Sequence, residues 1–74
     1  MGEIAIISSE GDTKVMWDPK NNDEVEAAED QFDALTSKGF SAYAVKKNGD
    51  KGRKITKFDA DAAKIIMVPP MQGG

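Results

Sequence analysis

The residues whose types and spacing best suit chemistry are the last six, Pro69-Pro70-Met71-Gln72-Gly73-Gly74. Glycine has no Cβ, so Gly73 and Gly74 can pass a channel that any other residue would block. Proline fixes φ and needs no ladder hydrogen bond, so Pro69 and Pro70 end a strand and stiffen the base of the tail beyond them. An α-carboxylate on Gly74 is ionised at neutral pH and sterically bare. The same residues also suit a plainer role, since glycine-rich ends occur wherever termini fray.

Side-chain chemistry is narrowly bounded. The chain has no Cys and no His. That removes a thiolate nucleophile, a thiolate zinc site, the usual base of a serine triad and the commonest metal ligand. Asp, Glu, Lys, Ser and Tyr remain, and a domain of 74 residues has little depth in which to tune them. No catalytic residue is assigned, and a free-standing enzyme is not expected. Asp59-Ala60-Asp61, with Asp12 and Asp18 as neighbours, offers carboxylates of the kind that bind Mg²⁺ or Ca²⁺. The alternating acids and glycine of a calcium loop are missing, so capping by Asp59 is the expected role and no metal site is assigned. Lys46, Lys47, Lys51, Arg53, Lys54 and Lys57 gather in one segment, and with Tyr43 they form a candidate partner-binding surface. Gly49-Asp50-Lys51-Gly52 resembles the phosphate clamp of KH domains, but that clamp joins two helices. The flanks here read as strands, which favours a solvated hairpin whose charges oppose edge-to-edge pairing.

The elements that must position these residues are set by periodicity. Ile4 to Ile7 is a β-branched run that suits a strand. After the turn residues Ser8 to Asp12, Thr13, Val15 and Trp17 alternate with Lys14, Met16 and Asp18 as a second strand, giving a hairpin. Asp18-Pro19 stops it. Asp23 as N-cap with Glu26 completes a capping box for a helix over 24–38. Its apolar stripe is Val25, Ala28, Phe32 and Leu35, and Gly39 is its C-terminal stop. A strand is expected over 40–45, a short edge strand over 53–58, a single helical turn over 59–63 and a last strand over 65–68. Trp17, Phe32, Phe40 and Phe58 are expected in or near the core.

Ile4–Ile7 and Ile65–Val68 are apolar without alternation, as central strands covered on both faces are. Placing them side by side as parallel neighbours, with the helix across one face, gives an α+β fold of the ubiquitin-like β-grasp type. Its mixed sheet would have four to five strands. A single domain over 1–68 and a flexible tail over 69–74 are expected. A net charge of -3 argues against a dedicated nucleic-acid binder. Ile65–Val68 is too short to cross a membrane and the start lacks a basic secretory region, so a soluble, cytoplasmic monomer is expected.

The segment Ile65-Ile66-Met67-Val68-Pro69-Pro70-Met71-Gln72-Gly73-Gly74 resembles the end of the molybdopterin-synthase small subunit and of the archaeal small modifiers. Both finish on an apolar strand, prolines, spacer residues and Gly-Gly. The element order is similar to that of ubiquitin and of the thiamine-pathway sulfur carrier. The resemblance implies an activating enzyme that uses ATP to adenylate the Gly74 carboxylate, and an acceptor protein or sulfur donor that displaces AMP. No cofactor would be bound by the chain itself. The front half, Asp12-Thr13-Lys14-Val15-Met16-Trp17-Asp18-Pro19, is similar to a group of short microbial and viral proteins to which no activity attaches. Beside the carrier reading stands an interaction module acting through a sheet face or the 46–57 hairpin, with no covalent chemistry.

Overall fold

The computed structural model describes residues 1–8, 11–46 and 52–70. Its elements are β1 (Gly2–Ser8), β2 (Gly11–Trp17), α1 (Asn22–Ser37), β3 (Ser41–Val45), β4 (Arg53–Ile55) and β5 (Lys64–Val68). They form an α+β architecture, one helix packed on a five-stranded mixed sheet of order β2-β1-β5-β3-β4. This arrangement is compatible with a β-grasp. β1 and β5 are parallel neighbours in the middle of the sheet, with Ile4 opposite Ile65 and Ile6 opposite Met67. Every other pairing among the described residues is antiparallel. No helix among the described residues is long and apolar enough to cross a membrane.

The core lies between the helix and one face of the sheet. Ile4, Trp17, Phe32, Ile65 and Met67 are fully buried there, with Ala28, Ala42, Ala44 and Ala62 filling the narrower spaces. Phe40 and Phe58 pack against this cluster. Trp17 holds the loop before β5. Its ring lies 5.0 Å from Phe58, and its indole N–H donates to the Ala60 carbonyl at 3.1 Å.

The helix starts two residues earlier than the capping pattern at Asp23 and Glu26 suggests. Asn21 is the N-cap, and its side-chain oxygen accepts from the Asp23 and Glu24 amides. Glu24, not Glu26, completes the exchange, accepting from the Asn21 side chain and from the Asp18 amide. Both registers satisfy the spacing rule. The earlier one also ties the helix to the end of β2, which a sequence rule does not weigh. At the other end Gly39 adopts φ 96°. Phe40 N–H donates to Leu35 and Gly39 N–H to Thr36, the paired closure that favours glycine at this position.

Three further expectations are corrected. The strands Ile4–Ile7 and Ile65–Val68 are central, but only one face is covered: Ala5, Ile66 and Val68 are half-buried and Ile7 is exposed. A single helix cannot roof both faces of a sheet. The edge strand ends at Ile55 rather than Phe58, because Phe58 is drawn away from the edge onto Trp17 and Phe32. Residues 59–63 form a hydrogen-bonded turn instead of a helical one, closed by the Ala62 amide on the Asp59 carbonyl.

Candidate functional site

Three features of the sheet bear on function. The first is the exit of the chain. β5 ends at Val68 opposite Ser41, after which Pro69 is half-buried and Pro70 exposed. The Pro70 ring rests beside Gly39, in ordinary contact distance of where a Cβ there would stand. Gly73 and Gly74 lie outside the described residues.

The second is the open sheet face. Its rows are fixed by the registers: Met16, Glu3, Lys64 and Val45 in one, and Lys14, Ala5, Ile66, Tyr43 and Lys54 in the next. Glu3 sits between two lysines, 3.8 Å from Lys64 and 4.0 Å from Lys14. Met16 is 57% exposed and Ile7 42%, both on this face. Met16 stands opposite Glu3 and Ile7 opposite Asp12, toward opposite ends of β1. Tyr43 is half-buried in the second row, between Ile66 and Lys54.

The third is the edge at β4. Arg53 and Ile55 stand on the helix side of the sheet, opposite Ala44 and Ala42, while Lys54 stands on the open side opposite Tyr43. Ile55 lines a groove of about 290 Å³ together with Thr36, Gly39, Phe40, Ser41, Ala42, Lys54 and Thr56. Sequence reasoning missed this groove. It exists because the helix ends at Ser37 and packs chiefly toward β2, which no local pattern encodes.

The basic residues singled out in the sequence fall only partly among the described residues. Arg53 and Lys54 lie exposed on β4. Lys46 is instead engaged 3.1 Å from Asp59. Lys47 and Lys51, and most of the glycine clamp with them, lie outside the described residues. Asp59 braces the turn instead of capping a helix: its carboxylate accepts from the Asp61 amide at 2.9 Å. Partial burial pushes its pKa up, but the Asp61 hydrogen bond and the Lys46 hydrogen bond and charge outweigh it and hold the carboxyl below the ordinary value. Asp12 and Asp18 do not join it as one cluster, because they flank the two ends of β2, about 20 Å apart at the strand rise. Among the described residues no three carboxylates gather as a metal site requires.

Set against family models, curated proteins and solved structures, the chain finds no match in any of the three.

Proposed function

We propose that this chain is a ubiquitin-like small modifier or sulfur-carrier-type protein that acts through the carboxylate of Gly74. The observation that supports it most is the place of β5. β5 lies in the middle of the sheet, hydrogen-bonded on both sides, so the prolines follow directly on a strand held at both edges. The chemistry runs in two balanced steps. A carboxylate oxygen attacks the α-phosphorus of ATP and pyrophosphate leaves, giving an acyl-adenylate. A sulfur nucleophile or a lysine amine then attacks the acyl carbon and AMP leaves. An activating enzyme supplies the ATP site, and the chain supplies the threadable end.

Intact mass spectrometry of the native protein from its own cells tests this. A thiocarboxylate adds about 16 Da, the replacement of one oxygen by sulfur at the activated acyl group. A Gly-Gly remnant on a lysine of another protein reports conjugation. The same spectrum must place Gly74 at the end of the mature chain. A protein that is only ever unmodified and unconjugated sinks the reading.

A second reading, an interaction module without covalent chemistry, draws support from the exposed Met16 and Ile7 on the open face. Under it, removing Gly73 and Gly74 leaves partner capture intact, whereas Met16→Lys or Ile7→Lys abolishes it. Under the carrier reading the deletion alone abolishes activity.

A further inference from the structure

The two edges of the sheet differ in a way that neither reading uses. On the β2 edge the charges alternate in sign, Asp12 beside Lys14, and Lys14 is turned toward Glu3. Such an edge discourages pairing. The β4 edge has no strand beyond it among the described residues. From Gly52 to Phe58 it carries Arg53, Lys54 and Lys57 and no acid. Beside it opens the groove next to Ile55, whose lining includes Phe40, Ala42 and Lys54. Blunting an edge needs charge alone, and an adjoining groove with apolar residues in its lining adds nothing to that task.

We propose that β4 and this groove receive an extended acidic peptide that adds to the sheet as a sixth strand. Strand addition takes its affinity from main-chain hydrogen bonds and its specificity from alternate side chains. The register defines the peptide. The residue set against Ile55 falls on the helix side, where Ile55, with Phe40 and Ala42 in the same groove, accepts an apolar anchor. The next residue falls on the open side against Lys54, and the one after it returns to the helix side against Arg53. Acids at those two positions complement both cations, and Lys54 itself lines the groove. The recognised sequence is therefore an apolar residue with two consecutive acids on its Arg53 side. This site is independent of Gly74 and holds whichever reading of the tail is correct.

The test is an amide-shift titration of the full ¹⁵N-labelled chain with capped heptapeptides. The probes have a central leucine flanked by two aspartates on one side, made in both chain directions. One direction should shift the amides of Arg53 to Thr56, Thr36 and Phe40 saturably. Replacing the peptide leucine by glycine should weaken binding about tenfold or more, the cost of losing one buried leucine side chain. The R53E/K54E double variant should weaken it at least as much while keeping a folded spectrum, since both side chains are exposed. The proposal is overturned if shifts track Lys14 and Lys64 as much as β4, or if the glycine peptide binds equally well. It is also overturned if a lysine-for-aspartate peptide or a short oligothymidylate shifts the same amides with equal strength.

Discussion

The indole of Trp17 occupies the space that a side chain at Gly2 would need. The two residues are opposite one another in the β1–β2 ladder, and a Cβ built on Gly2 would overlap the Trp17 ring. Gly2 is buried, and Trp17, fully buried, donates from its indole N–H to the Ala60 carbonyl.

Gly2→Ala should therefore force the ring off its seat and disturb both the Phe58 contact and the Ala60 hydrogen bond. Overpacking of this kind costs about 1–3 kcal/mol. In a domain of this size each kcal/mol lowers Tm by about 4–8 °C. Gly52→Ala is the control, because its added Cβ would meet Tyr43 only at 3.7 Å, and it should stay within about 0.5 kcal/mol of the parent. Equal Tm values for the two variants would refute the wedge.

The helix cap makes a separate prediction. Asn21→Ala removes the acceptor for the Asp23 and Glu24 amides and a donor to the Glu24 carboxylate. Loss of such a cap costs about 1 kcal/mol. Urea unfolding should show a lower midpoint with an unchanged slope, since the same surface is exposed on unfolding. Glu26→Ala, at the position the sequence pattern favours for the capping box, should move the midpoint little.

How much of this is legible in the sequence depends on the range of the cause. The pairing of Ile4 with Ile65 is implied by two apolar runs that both need a central place, and the stripe of Ala28, Phe32 and Leu35 by helical spacing. Non-alternation in Ile4–Ile7 misleads about coverage: a central strand beside open neighbours tolerates Ala5 and Ile7 facing out. The capping register turns on Glu24 reaching Asp18, a contact outside the helix. The β4 groove turns on where the helix stops over the sheet. Composition and spacing carry neither. Lys46 reads as part of a basic surface, and only the fold brings it to Asp59.

The Lys46–Asp59 pair gives a pH dependence with a defined sign. The folded-state pKa of Asp59 is depressed, so the folded state binds this proton less readily than the unfolded chain does. The contribution is present above the ordinary carboxylate value, about pH 4, and is lost as pH falls through the depressed value. Asp59→Asn keeps an acceptor for the Asp61 amide and discards the charge. The variant should be slightly less stable than the parent at pH 7, and the gap should close below about pH 4 as the parent's carboxylate is protonated. A gap that persists unchanged at about pH 2, below the carboxylate range, would assign the difference to packing instead.

Gly39 links the helix stop to the base of the tail, and two substitutions there separate its functions. Its φ of 96° strains an L-residue by about 1–2 kcal/mol, least for asparagine. A Cβ would also stand 3.4 Å from the Pro70 ring, in van der Waals contact with it. Gly39→Ala carries the backbone strain and adds that contact. Gly39→Asn adds the contact with less backbone strain, so the stability difference between the two reports chiefly the strain. If the Pro70 contact anchors the exit of the chain, both variants should shift the amide resonances of Ile66 to Val68, on the strand that leads into the prolines. Asparagine should recover much of the lost Tm while leaving those shifts in place. Recovery of Tm and shifts together would mean that Pro70 adjusts freely and that Gly39 serves the helix alone.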